Sequence, residues 1–303
     1  MYDGLFAYLC KKDVKYKRSI KLSTMSSVRI GGVLDVAVFP NTIEKLVDVL
    51  RYLYKNEYRF FVLGKMTNTL ADDSEYNGVG VFTVHLNHCS SFGDLFCAEC
   101  GVVLSGMILR LAQRSLGGME SLFGIPGTVG GMVYSNAGAY ENETSDFLVS
   151  ATVYDIRTDM TFALSKADLG FSYRSSIFAQ NKYLILLDAS FLMCSKCEEE
   201  VKERINSIMA KRKSSQPLEF PSLGSVFKRS GDVPIAKLID SCGLKGIRIG
   251  NAEISDKHAG FIINKGGATS AEYKSLVEMI KEKLQAMYRI SPKEEIEYLK
   301  FLP

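Results

Sequence analysis

The chain has 303 residues, 47% apolar and 23% charged, enough to bury a sizeable core and to build two or three domains. A net charge of +3 with no basic stripe argues against nucleic acid, and no run of eighteen apolar residues offers a membrane span. Seven cysteines, an odd number, and an N-terminus without an apolar signal-peptide run lead to the expectation of a cytoplasmic protein without disulfides.

From Asn41 or Thr42 an amphipathic helix is expected to run to Tyr54, with Ile43, Leu46, Val47, Leu50 and Leu53 on one face. A strand over 60–63 then enters Gly64-Lys-Met-Thr-Asn68, a turn of amide and hydroxyl groups at a strand end, where α/β and α+β folds place ligands. An apolar run over 79–86 follows, then helical periodicity over 104–116. Cys97-Ala-Glu-Cys100 and Cys194-Ser-Lys-Cys197 have metal spacing, but roughly ninety residues separate them and 95–104 reads as a strand entering a helix, so no metal is expected.

Gly124-Ile-Pro-Gly-Thr-Val-Gly-Gly131 and Asn136-Ala-Gly-Ala-Tyr140 put five glycines and one proline into seventeen residues, a poor helix and a poor strand. Glycine lets backbone N–H groups close on an anion, and Thr128 and Asn136 add side-chain hydrogen bonds. A phosphate-rich ligand is expected, in neither a Walker nor a Rossmann loop, since both spacings are absent.

Strands are expected over 147–156 and 183–191, the second so continuously apolar that it should be central. A charged helix over 198–213 ends in Lys211-Arg-Lys213, read as a solvated last turn, and two prolines in 216–221 suggest a domain boundary. Beyond it lie a helix over 234–241, a glycine-punctuated stretch, a long helix over 270–288 stopped by Pro292, and a final strand over 295–299. The pattern is α+β in about three units, 1–80, 81–213 and 214–303.

Three polar residues stand out. Arg174 lies in an aromatic and apolar stretch, Ser225 is presented by Gly224, and Glu295 opens the last strand beside Glu294. A surface arginine, a turn serine and a strand-capping glutamate would account for each alone. A serine nucleophile with a histidine base is poorly supported, because no Gly-x-Ser-x-Gly elbow surrounds Ser225 and only His85, His88 and His258 are present.

Six collinear segments carry a resemblance over nearly the whole chain: Ser26-Ser-Val-Arg-Ile-Gly-Gly32, Leu63-Gly-Lys-Met-Thr-Asn68, the paired glycine segments, Tyr173-Arg174, Gly224-Ser-Val-Phe227 and Lys257-His-Ala-Gly-Phe-Ile-Ile-Asn264. They resemble the UDP-N-acetylenolpyruvoylglucosamine reductase family, in the subgroup without a substrate-covering tyrosine loop. The resemblance implies an FAD-binding fold of the vanillyl-alcohol-oxidase type in two subdomains, followed by a C-terminal α+β substrate-binding domain. It implies non-covalent FAD, NADPH as hydride donor, UDP-N-acetylglucosamine enolpyruvate as substrate, and a monomer.

By the same resemblance Arg174, Ser225 and Glu295 are the catalytic set. Arg29, Gly31, Gly64, Thr67, Asn68, Gly124, Pro126, Gly127, Thr128, Gly130, Gly131, Asn136, Ala139 and Tyr140 hold the cofactor, and Tyr173 meets the substrate; Arg229, four residues after Ser225, is a candidate for a substrate diphosphate contact, with a solvated arginine as the alternative. Arg174 and a protonated Glu295 would stabilise charge beside the substrate carboxylate, and Ser225 would deliver a proton as general acid. The chain departs from the family pattern at Lys65 and Met66, where small residues are usual, and at Arg289, where glycine is expected.

Overall fold

A computed structural model describes residues 2–231 and 233–302. The first sheet runs Lys15–Lys21, Val33–Phe39, Tyr76–Phe82, Phe60–Leu63 in spatial order, the first pair antiparallel and the other two parallel. Helix Ile43–Lys55 buries Leu46, Val49, Leu50 and Leu53 against it, and Thr42 caps the helix by accepting from Lys45 N at 3.2 Å.

The second sheet is antiparallel, in the order Met160–Ser165, Leu148–Asp155, Leu184–Leu192, Leu95–Glu99, Cys89–Phe92. Leu184–Leu192 is the middle strand, which accounts for an apolar run broken only by Asp188 and Ser190. One apolar core joins these two sheets through Leu46, Val79, Phe96, Leu111, Val153 and Leu187.

The third sheet, Ser222–Ser225, Phe261–Asn264, Ala252–Ile254, Arg248–Ile249, is packed with helices Ile235–Ser241 and Ser270–Tyr288 around a second core. That core also takes in Val28, Ile30 and Leu70 from the N-terminal region. Ser27 Oγ donates to Ser222 O at 2.7 Å and Asn264 Nδ2 donates to Val28 O at 2.8 Å, which fixes the third unit against the first.

Three local expectations are corrected. Helix Ser270–Tyr288 ends at Arg289, which takes the left-handed conformation at φ 56°, before Pro292 is reached. The last strand is Glu297–Tyr298 and pairs in parallel with Thr69–Leu70, so the chain returns to the first unit. Helix Glu198–Ser215 buries Val201, Ile205, Ile208 and Arg212, one stripe at helical spacing, so Arg212 turns inward while Lys211 and Lys213 are exposed.

Candidate active site

The two glycine-bearing turns meet. Thr67 Oγ1 donates to Pro126 O at 3.0 Å, and a Cβ placed on Gly64 would lie 2.6 Å from Thr128 Oγ1. Gly64 is therefore required by close approach, while the buried Thr128 forms the opposing wall. Lys65 is exposed at this turn, and Met66, at φ 50°, is buried in a small core with Leu22, Leu34, Phe61 and Phe82. Its side chain thus anchors the turn from below, where a smaller residue would leave a void.

Gly124, Gly127, Gly130 and Gly131 follow one another around this contact, with Pro126 exposed. A Cβ on Gly131 would meet no protein atom within 4 Å, so the backbone there borders open space. Arg29, exposed at φ 57°, and Gly31 lie on the 26–32 loop, which abuts the same turn through Ser27 N to Met66 O at 3.3 Å. Ala139 is half-buried in the short Gly138–Ala139 strand, and Tyr140 after it is half exposed.

Asn136 is fully buried, and its side chain is spent on protein: Nδ2 donates to Ser172 O at 3.1 Å and Oδ1 accepts from Ser145 N at 3.0 Å. Asn68 likewise donates from Nδ2 to Glu295 O at 2.8 Å, and its carbonyl accepts from Glu297 N at 2.9 Å. Sequence reasoning treats both as ligand contacts. Their amides hold the turns and the last strand in place.

Arg174, Ser225 and Glu295, distant in sequence, are brought to one place. Arg174 Nε and Glu295 Oε1 are 2.7 Å apart, with both side chains about four-fifths buried. A second guanidinium nitrogen of Arg174 donates to Gly138 O at 2.7 Å, so the arginine also grips the glycine-rich turn. Arg174 is held at φ 52°, a conformation that costs an L-residue about 1–2 kcal/mol and is kept here by these contacts.

Glu295 N donates to Val226 O at 2.7 Å, which holds the Glu295 backbone next to the end of strand Ser222–Ser225, where Ser225 is exposed. Glu294 faces the other way, towards Lys281 and the hydroxyl of Tyr298, because successive residues of extended chain point to opposite sides. Lys228 Nζ donates to Arg174 O at 3.1 Å, a contact that sequence reasoning missed although Lys228 directly follows the Ser-Val-Phe segment. Tyr173 is 45% exposed, its hydroxyl accepting from Arg229 N at 3.2 Å, and the Arg174 guanidinium lies 5.1 Å from its ring centre.

Residues 34–160 match the family model described as an FAD binding domain. A solved berberine bridge enzyme variant, 14% identical, has a similar fold at TM-score 0.52 over 64% of this chain and 44% of its own. By class the chain is an FAD-dependent oxidoreductase whose flavin domain carries a separate C-terminal α+β domain.

Residues 216–299 match the C-terminal domain of UDP-N-acetylenolpyruvoylglucosamine reductase. Proteins of that name from Clostridium novyi and Pseudothermotoga lettingae are 38% and 39% identical, covering 96% and 94% of this chain and 94% and 97% of their own. The crystal structure of the Thermus caldophilus reductase superposes at TM-score 0.80 with 26% identity, over 95% of this chain and 99% of its own. The chain belongs to the UDP-N-acetylenolpyruvoylglucosamine reductase family. No helix among the described residues is long and apolar enough to cross a membrane.

Proposed function

We propose that Arg174, Ser225 and Glu295 form the reducing site of an enzyme that converts UDP-N-acetylglucosamine enolpyruvate to UDP-N-acetylmuramate, a step in peptidoglycan precursor synthesis. The observation that carries this reading is the 2.7 Å contact between Arg174 and Glu295, residues 121 apart in sequence, beside an exposed serine.

The residues present suit FAD: two turns clasped through Gly64, Thr67, Pro126 and Thr128, with backbone at Gly131 open to a ligand. In this reading Arg29, Gly31, Gly64, Thr67, Gly124 to Gly131, Ala139 and Tyr140 border the cofactor, while Asn68 and Asn136 support it from beneath. FAD held by these residues would supply the hydride chemistry that links NADPH to the enolpyruvyl carbon.

The protein's own task is to manage charge and a proton. Arg174 holds the substrate carboxylate, and with Glu295 it stabilises the negative charge that builds beside that carboxylate during reduction. Ser225 Oγ gives its proton to the neighbouring carbon. A hydroxyl is a weak acid, but an enolate-like carbanion is basic enough to take its proton when the geometry is fixed. Tyr173 and Arg229, joined through the Arg229 backbone N–H and the Tyr173 hydroxyl, orient the substrate.

Units 1–80 and 81–213 hold the flavin and 214–303 closes over the substrate, in a cytoplasmic monomer. Ser225→Ala tests the assignment. FAD should still be reduced by NADPH but should no longer be reoxidised by the enolpyruvyl substrate. Equal loss of both half-reactions with FAD bound would remove the proton-donor role from Ser225.

A further inference from the structure

A surface cavity of about 490 Å³ shares no residue with the glycine turns or with the site around Arg174 and Glu295. It is lined by Asn87, His88, Cys89, Arg110, Gln113 and Arg114. The first three run into strand Cys89–Phe92, at the edge of the second sheet, and the other three sit at the C-terminal end of helix Leu104–Ala112. Cavities of roughly 300–1,000 Å³ are the size that takes small molecules.

The lining is rich in hydrogen-bond donors and holds no carboxylate. Arg51, Arg157, Arg174, Arg204 and Arg248 each meet an acidic side chain, whereas Arg110 and Arg114 meet none among the described residues. Arg110 Nη1 donates to Asn87 O at 3.3 Å and to Cys89 Sγ at 3.2 Å, and Arg114 Nη1 donates to Arg110 O at 3.4 Å. Each guanidinium is thus tethered through one nitrogen and keeps its other donors free, and the second tether draws the two arginines together on one wall.

Nothing nearby neutralises them. Glu99 spends a carboxylate oxygen on His88 N at 2.9 Å. Burial pushes the Cys89 thiol up, with Arg110 and Arg114 opposing, so it stays protonated at neutral pH and brings no negative charge. Capping of a late helical carbonyl would account for Arg114 alone. It does not account for Arg110, whose acceptors lie across the cavity on the segment before the edge strand.

We propose that this cavity is a site for a diphosphate-bearing small molecule, gripped by Arg110 and Arg114 with the amides of Asn87 and Gln113 beside them. Two adjacent guanidinium forks match the oxygens of two linked phosphoryl groups, whereas a single phosphate would engage only one fork well. Free pyrophosphate and a nucleoside diphosphate carry the same group.

The test titrates the FAD-loaded chain with pyrophosphate, inorganic phosphate and ADP by calorimetry at fixed ionic strength, comparing wild type with Arg110→Gln/Arg114→Gln. Diphosphate taken up at the nucleotide sites is common to both forms and cancels in the comparison. Wild type should bind one equivalent of pyrophosphate that the double variant binds at least tenfold more weakly, as expected for the loss of hydrogen bonds to a charged group. At that site phosphate should bind about tenfold more weakly than pyrophosphate.

Tighter binding of ADP than of pyrophosphate assigns the site to a nucleoside diphosphate, and weaker binding assigns it to the free diphosphate. Should loss of the Arg114 cap lower the melting temperature of the double variant, Arg110→Gln alone carries the test and should still weaken pyrophosphate about tenfold. Pyrophosphate affinity within twofold of wild type in a variant that melts normally, or no preference for pyrophosphate over phosphate in the wild type, would overturn the proposal.

Discussion

Replacing Gly64 by alanine probes the clasp between the two glycine turns. The added Cβ would sit 2.6 Å from Thr128 Oγ1, against the 3.4 Å at which ordinary contact begins. Thr128 is 2% exposed and cannot swing into solvent. The backbone at Gly64 is not in the left-handed region, so the effect of alanine is steric rather than conformational.

Overpacking of this kind costs about 1–3 kcal/mol. Both turns border the proposed cofactor site, so a strained clasp should show in FAD binding. That cost corresponds to roughly 5- to 150-fold weaker FAD affinity. Titrating apo-protein with FAD by flavin fluorescence measures it directly.

Thr128→Ala removes the obstructing oxygen and leaves only Cβ, 3.6 Å from the new methyl. The double variant should therefore bind FAD no worse than Thr128→Ala alone, a coupling visible in a double-mutant cycle. Unchanged affinity in Gly64→Ala, or no rescue by Thr128→Ala, would refute the clasp.

The two adjacent glutamates should separate cleanly. Glu295→Gln, which replaces the carboxyl group that meets Arg174, should cut kcat about a hundredfold or more with the fold intact, read by steady-state kinetics and thermal melting. Glu294→Gln, which faces Lys281 and Tyr298, should lower stability by about 1–2 kcal/mol with kcat preserved. Arg289→Gly relieves a left-handed arginine at the end of helix Ser270–Tyr288 and should raise the urea midpoint by about 0.5–1 kcal/mol in stability.

Burial holds the His258 imidazole below its ordinary value of 6.5, with Lys245 adding to the effect and Asp240 opposing it, and His258 Nδ1 accepts from Gly260 N at 3.1 Å. The unfolded chain then binds the proton more readily, so this contribution to stability is present above pH 6.5 and is lost as pH falls through the folded value. His258→Gln should flatten the urea midpoint between pH 6.5 and 5, and an equally steep profile would show that His258 is not responsible.

The glycine segments and the turn after strand Phe60–Leu63 were legible because each is a local pattern, glycine clusters and a strand end, whereas local pattern could not link Arg174, Ser225 and Glu295 and only the family resemblance grouped them. Helices Ile43–Lys55 and Ser270–Tyr288 were legible from periodicity and from their capping threonines, Thr42 and Thr269. Periodicity also held the sign that Arg212 faces inward, since it extends the row Val201, Ile205, Ile208, but its basic neighbours concealed it.

What the sequence by itself determined was the family, the α+β class and the segments that meet at the site, because these follow from residue type and spacing along one chain. Which glutamate faces Arg174 was decided only when Asn68 and Val226 fixed the backbone of Glu295 from two different units. The inward use of Asn68 and Asn136, and the packing of Arg212 under Gly124, were likewise decided by tertiary contacts. A side chain's partners depend on what lies across the fold, at separations of more than a hundred residues that no local pattern records.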